Sequence, residues 1–189
     1  MESRRAESFS DGVFAVAITV LVFNLLSLVP PAGGQLTRDA LLDAWPAYAA
    51  YVVSFLTIGI MWLNHHALLA QVTKVDRTLL VLNLFLLMGV VAIPFPTALV
   101  ASQLTVNSTG ARLATVIYGF TMIAISVGYA SMWLYVVAHQ QALGARVQMA
   151  PQRLSTVRFT AGNAGYIAGT IVAAFLSPGA ALIIFGLLA

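Results

Sequence analysis

The chain contains no cysteine, and only 8% of its 189 residues are charged. Without cysteine, disulfide bridges, thiolate nucleophiles and cysteine-ligated metal sites are excluded. The shortage of charge accompanies 60% hydrophobic residues and a mean hydropathy of +0.93, values far outside those of soluble proteins. This composition indicates an integral membrane protein. The pI of about 9.6 does not indicate nucleic-acid binding, because the basic residues are scattered between apolar segments.

Hydropathy and helix-breaking residues predict an all-α, polytopic membrane domain of six helices that occupies residues 1–189. The predicted spans are residues 8–28, 41–69, 78–100, 111–138 and 158–176, followed by an apolar segment from Gly179. This last segment is about 16 Å of helix, against a hydrocarbon core of about 30 Å. We therefore expect a sixth helix that is truncated or ends in mid-membrane.

The basic residues predict the orientation of the chain in the membrane. With a cytoplasmic N-terminus, most of them lie inside: Arg4, Arg5, Lys74, Arg77, Arg146, Arg153 and Arg158. Only Arg38 and Arg112 then lie outside. The positive-inside rule places both termini in the cytoplasm, which also favours an even number of spans.

The first span begins with polar groups that are costly beside a membrane and usually face the protein interior: Arg5, Glu7, Ser10 and Asp11. At about 100° per residue, a second set of residues shares another face: Val16, Thr19, Val20 and Phe23. In a symmetric oligomer this stripe could face a central axis, where apolar rings gate a pore by dewetting. The alternative is that the stripe packs against other helices.

Polar partners for the first span come from the ends of the second and third spans that lie at the same membrane depth. We predict an interhelical cluster of Arg5, Ser10, Asp11, Trp62, His65 and Asn83. A metal site of Asp11, His65 and His66 is disfavoured, because adjacent histidines on a helix diverge by about 100°. The second span also has an aromatic stripe that predicts packing against protein: Tyr48, Tyr51, Phe55 and Trp62.

The string formed by Arg5, Phe9, Ser10 and Asp11, R-x-x-x-F-S-D, resembles the signature of the transmembrane protein 175 family, the lysosomal and prokaryotic potassium channels. The resemblance extends in span order over roughly the whole chain. It includes Trp-x-x-His at the end of the second span, Asn83 early in the third span and Pro94-Phe95 near its far end.

The resemblance implies a homotetramer in the prokaryotic plasma membrane, with the first helix lining a central potassium pore that has no re-entrant TVGYG filter loop. Carried over from Asp11, the constriction falls at Val16, Val20 and Phe23, and the selectivity layer at Thr19. The remaining motif residues form the interhelical polar cluster: Arg5, Phe9, Ser10, Asp11, Trp62, His65 and Asn83. The segment Ser126–Ala130 looks like a TVGYG filter, but it lies in an unbroken apolar run that predicts ordinary helix.

Two other functions remain open at this stage. The first is a proton-coupled carrier with Asp11 and His65 as titrating groups, and the second is a membrane scaffold without transport. An enzyme is disfavoured, because no nucleophile and base lie at a usable spacing. We expect no cofactor and no metal beyond permeating potassium.

Overall fold

The computed structural model describes residues 3–26, 28–30, 34–103, 108–145 and 149–188. Within these ranges the chain is dominated by helices. They are α1 Ser3–Val20, α2 Phe23–Leu26, α3 Arg38–Asp43, α4 Trp45–Leu69, α5 Arg77–Ala92, α6 Pro94–Gln103, α7 Ser108–Ala138, α8 Gln140–Leu143, α9 Met149–Phe175 and α10 Pro178–Leu188.

Four stretches of the described chain are long and apolar enough to cross a membrane: Ser3–Leu26, Arg38–Leu69, Arg77–Gln103 and Thr109–Ala138. They correspond to the first four predicted spans, and the all-α prediction is confirmed. Helix α9 carries a shorter apolar segment, Asn163–Phe175, and α10 has 11 residues. The count of six spans therefore stays a prediction.

The first span differs from the prediction in where it begins and in its continuity. Helix α1 begins at Ser3 rather than at Ser8, so the polar head is helical, and the helix is interrupted by a turn at Leu21 and Val22. Across this turn the Asn24 backbone N–H donates to the Leu21 carbonyl, three residues back, at 3.1 Å. Three-residue bonds of this kind tighten the chain and separate α1 from α2.

A second helix break lies beside the first. Proline has no N–H to continue a helix, and α5 gives way to α6 at Pro94. The Asn24 side-chain amide donates to the Pro94 carbonyl at 3.2 Å. This bond, which we call the Asn24–Pro94 clip, joins the two interruptions.

Helix α7 is the centre of the bundle, since it packs against α5, α6, α9 and α10. Its buried side chains recur every three or four residues along one stripe: Ala111, Ala114, Thr115, Tyr118, Met122, Ile125, Tyr129, Met132, Trp133 and Val136. The filter-like segment Ser126–Ala130 is continuous helix within α7, in agreement with the prediction.

The aromatic stripe of the second span packs against the described chain only in part: Tyr51 lies against the core and Trp62 is hydrogen-bonded to Asp11. Tyr48, Phe55 and Trp62 are each more than a third exposed. The buried face of α4 instead contains Ser54, Thr57 and other residues that point between α1 and α6. Small hydroxyl residues allow a closer approach of neighbouring helices than aromatic rings do.

We call the end of the bundle at which α1 begins the proximal end, and the opposite end the distal end. The α4–α5 loop connects the proximal helix ends, because the Thr73 carbonyl accepts from Ser3 and the Thr73 N–H donates to the Leu143 carbonyl at 3.2 Å. Asp76 then caps α5 by accepting from Leu79 N–H at 2.8 Å. A hydrogen bond from the Tyr135 hydroxyl, with the Leu79 bond second, holds the pKa of Asp76 below its usual value.

The close approach of α5 and α7 at Gly128 gives a first prediction. A Cβ at Gly128 would stand 3.2 Å from the Leu86 Cα, which is backbone and cannot rotate away. We expect Gly128→Ala to push the helices apart and to lower stability by about 1–3 kcal/mol, measured as a lower thermal unfolding midpoint in detergent.

Gly59→Ala is the matched control, because a Cβ there meets nothing within 4 Å. The higher helix propensity of alanine should stabilise that variant by up to about 1 kcal/mol. Equal unfolding midpoints for the two variants would contradict the close contact.

Candidate functional site

Helix α1 has one buried face, formed by Ala6, Ser10, Phe14 and Ala17. This face packs against α4 and α5. The buried positions recur at three- and four-residue spacing, as expected for one side of a helix. A serine in this otherwise apolar stripe needs a hydrogen-bonding partner.

Ser10 is part of a series of hydrogen bonds that connects three helices. The Asn83 side-chain amide donates to Ser10 Oγ at 2.9 Å, and Ser10 Oγ donates to the Ala6 carbonyl at 2.8 Å. His65 Nε2 lies 2.7 Å from Asn83 Oδ1. Since that oxygen can only accept, His65 carries its proton on Nε2 and donates it. We call His65, Asn83 and Ser10 the buried network.

The buried network is withdrawn from solvent, with Ser10 and His65 fully buried and Asn83 3% exposed. The Phe14 ring lies over the His65 ring, with centroids 5.3 Å apart. In the described part of the chain His65 Nδ1 has no hydrogen-bond partner, so one nitrogen alone fixes the ring. Leaving any member without its partner would cost the desolvation of a buried polar group.

A second layer of polar contacts lies beside this network and joins α1 to α4. The Trp62 indole donates to Asp11 Oδ1 at 2.8 Å, and His66 Nδ1 lies 2.8 Å from Glu7 Oε1. On both helices the two members are four residues apart, so the contacts form parallel rungs between neighbouring turns. These rungs are more exposed than the buried network.

The structure brings together five of the seven residues proposed for the polar cluster, in two adjacent groups: Ser10, His65 and Asn83, and Asp11 with Trp62. Arg5 and Phe9 lie elsewhere. Phe9 is 56% exposed. Arg5 is exposed and is not the partner of Asp11, because six helical positions separate the two by about 120° around α1.

The Glu7–His66 contact was not anticipated from the sequence. The four-residue spacing of Glu7 and Asp11 on α1 equals that of Trp62 and His66 on α4, and this match was the available signal. Asp11, His65 and His66, the metal ligands that were disfavoured on the sequence, are not among any group of three metal-ligating side chains in the described ranges.

The opposite face of α1 is apolar and open in the isolated chain. Val16 is 56% exposed and Phe23, at the start of α2, is 61% exposed, while Thr19 is exposed and Val20 half-buried. We call these four residues the open stripe. The Thr19 hydroxyl donates to the Val16 carbonyl at 2.9 Å, so its proton points back along the helix and its lone pairs face outward.

Comparisons with known proteins bear on this arrangement. The family model described as endosomal/lysosomal potassium channel TMEM175 matches residues 5–94. A potassium channel of Streptomyces collinus is 42% identical over 189 residues, which is 100% of this chain and 90% of that protein. An endosomal/lysosomal proton channel TMEM175 of Danio rerio is 36% identical over 115 residues, 57% of this chain and 21% of that protein.

A solved structure agrees with the fold. The crystal structure of a lysosomal potassium-selective channel TMEM175 homolog from Chamaesiphon minutus superposes with a TM-score of 0.80 and 30% identity. The match covers 98% of this chain and 93% of that chain.

The buried network gives a second prediction. Asn83→Leu leaves the His65 Nε2–H without an acceptor and removes the donor to Ser10, so we expect a loss of about 1–3 kcal/mol and a lower unfolding midpoint. Asn64→Leu on the exposed surface of α4 is the control and should leave the midpoint nearly unchanged. An Asn83→Leu protein that unfolds with the wild type would show that the network does not stabilise α1.

Proposed function

The chain belongs to the TMEM175 family, and from this premise we propose that it forms a potassium-permeable channel. The main support is the open stripe on α1, which is an apolar surface with a single hydroxyl group. The other face of the same helix is fixed by polar contacts. Its bacterial relative over the full chain is named a potassium channel, which supports potassium as the permeant ion.

The proposed assembly is a homotetramer of six-helix subunits, with α1 of each subunit lining a central pore. The chain alone is small for a solute pathway, and rotational symmetry would bring several open stripes around one axis. Exposed residues such as Val16 and Phe23 would then be covered by the same residues of other subunits. The buried network holds each α1 against α4 and α5 of its own subunit.

In this assembly the constriction consists of rings of Val16, Val20 and Phe23. Apolar rings resist the entry of water and thereby oppose the passage of hydrated ions. Phe23 lies on α2, beyond the turn at Leu21, so its ring would sit at the distal end of the constriction. No cofactor is needed for conduction of this kind.

Thr19 is the proposed selectivity layer. Because its proton is donated to the Val16 carbonyl, the hydroxyl oxygen offers lone pairs to whatever lies in front of the helix. A ring of such oxygens coordinates a cation weakly and offsets part of the cost of removing its hydration water. Modest preference for potassium over sodium would follow, because potassium loses its water more cheaply.

We place the channel in the prokaryotic plasma membrane as a multi-pass protein, with both termini cytoplasmic. The support comes from basic residues near the proximal end, including Arg4, Arg5, Lys74 and Arg77. This excess of positive charge is typical of the cytoplasmic side.

Protons are the second candidate for transport, because the Danio rerio relative is named a proton channel. The proton-coupled carrier with Asp11 and His65 has weaker support. Asp11 accepts from Trp62 and His65 donates to Asn83, so each is bound to a different structural partner. A carrier also needs alternating access, and its flux saturates with substrate.

Planar-bilayer recording of the purified protein tests the proposal directly. With potassium on one side and sodium on the other, we expect unitary current steps that reverse toward the potassium equilibrium potential. Proton flux that saturates with a cosubstrate, without unitary steps, would instead identify a carrier. Absence of both would leave the scaffold as the function.

Thr19→Val gives a third prediction within the same recordings. The substitution keeps the shape of the side chain but removes the oxygen, so we expect the potassium-to-sodium permeability ratio to fall by roughly two- to tenfold. Thr121→Val is the control, since Thr121 makes an equivalent backbone bond, to the Ile117 carbonyl, on α7. An unchanged reversal potential in Thr19→Val would exclude Thr19 as the selective layer.

A further inference from the structure

A cavity of about 410 Å³ lies between α4, α6, α7 and α10 in the distal half of the bundle. None of the described side chains that line it is charged, and most are apolar, among them Ala50, Val100 and Phe185. Its volume is within the roughly 300–1,000 Å³ of small-molecule sites. An ion or charged ligand is excluded, because nothing on the walls would compensate for its desolvation.

The inner wall of the cavity carries three hydroxyl groups from different helices: Ser54, Thr97 and Tyr118. All three residues are buried, with exposures of 2%, 1% and 6%. Thr97 donates to the Ile93 carbonyl at 2.8 Å. In the 2.8 Å contact between Ser54 and Thr97, Ser54 is therefore the donor.

The direction of these hydrogen bonds decides what a ligand can use. The Tyr118 hydroxyl is hydrogen-bonded to Ser54 and Thr57. Ser54 already donates to Thr97 and Thr57 donates to the Val53 carbonyl, so Tyr118 is the donor in these contacts and its proton is not free. The wall thus offers hydroxyl oxygens as acceptors, in otherwise apolar surroundings, and a ligand with a single hydroxyl group, which can donate, matches it.

The rim of the cavity is exposed in the isolated chain. Trp45, at the start of α4, is 55% exposed, and Val53 and Ile183 are 43% and 66% exposed. A tryptophan that follows charged residues, here Arg38, Asp39 and Asp43 of α3, is typical of the boundary between lipid and water. A molecule dissolved in the bilayer could enter here without crossing water.

We propose that this cavity binds an uncharged lipophile bearing one hydroxyl group, of the size of a medium-chain alcohol or alkylphenol. The apolar part fills the space between α4 and α10, and the hydroxyl of the ligand donates to the oxygen of Ser54 or Tyr118. The ligand is drawn from the bilayer, where such molecules concentrate.

Occupancy of the cavity has a route to α1, and this consequence rests on the proposed function. The α6 wall carries Thr97 and Val100, and α6 begins at Pro94, whose carbonyl is held by Asn24. A ligand that shifts α6 therefore acts on α2 and on Phe23 through the Asn24–Pro94 clip.

Photolabelling tests the binding site without measuring current. The full chain in lipid vesicles is irradiated with an octanol that carries a diazirine, and the labelled peptides are mapped by mass spectrometry. We expect label concentrated in peptides of α4 and α7 that line the cavity, and displaced by excess octanol. Label that is spread evenly over the lipid-facing helices, or that octanol does not displace, would overturn the proposal. An unlabelled cavity, as expected if a neighbouring subunit fills it, would overturn it as well.

Ala50→Phe fills the cavity and should reduce the displaceable label to background. Ala67→Phe places the same ring on the exposed surface of α4 at the proximal end and should leave the label unchanged. Equal labelling of the two variants would overturn the proposal.

Tyr118→Phe tests the oxygen separately and does not depend on the Ala50 variant being folded. It should weaken octanol binding by roughly two- to tenfold and leave binding of a diazirine-octane probe unchanged. If both probes bind Tyr118→Phe as they bind the wild type, the polar wall does not recognise the ligand.

Octanol added to a conducting bilayer then tests the link to α1. If octanol binds to both proteins but changes the current only in the wild type and not in Asn24→Ala, the Asn24–Pro94 clip is supported as the route. Binding without any effect on current would remove the route and leave the binding site standing. If the protein conducts no potassium at all, the labelling result still decides the binding site, so failure of the proposed function is distinguishable.

Discussion

The buried amide of Asn83 is the interaction on which the arrangement of α1 depends. It accepts a hydrogen bond from His65 and donates one to Ser10, and these two bonds join α4, α5 and α1 at one point. Each hydrogen bond of the buried network has a single possible direction, because the Ser10 hydroxyl donates to the Ala6 carbonyl and can only accept from Asn83. In a low-dielectric interior such a network strongly favours a single rotation of α1 about its axis.

Once the rotation of α1 is fixed, the residues on its opposite face are fixed as well. With Ser10 and Phe14 inward, helical geometry turns Val16 and Thr19 away from the subunit. The Asp11–Trp62 and Glu7–His66 contacts, beside the buried network, also oppose rotation of α1. The pore face proposed for α1 then needs no special structure of its own, because it is the side of the helix that is left once the polar side has been satisfied.

The sequence predicted the four long spans and most of the polar network, because both depend on local spacing. Ser10 and Asp11 were assigned from their cost beside the membrane, and Trp62, His65 and Asn83 from their depth in neighbouring spans. Arg5 was assigned on the same grounds as Ser10 and Asp11, although it lies on another side of α1, and Phe9 was added from a linear motif, which does not record the direction of a side chain. The turn at Leu21 and the clip from Asn24 to Pro94 depend on contacts 70 residues apart in the chain, so no local pattern revealed them.

The turn at Leu21 divides the first span into a firmly seated stem and a short tip. The stem is held by the buried network, whereas the tip packs against α4 and α6 and is hydrogen-bonded to the carbonyl of Pro94 at the second break. Because both breaks lie at the same depth, they can act as a paired joint, and the tip can tilt with α6 while the stem stays in place. Tilting of the tip would then leave the buried network undisturbed.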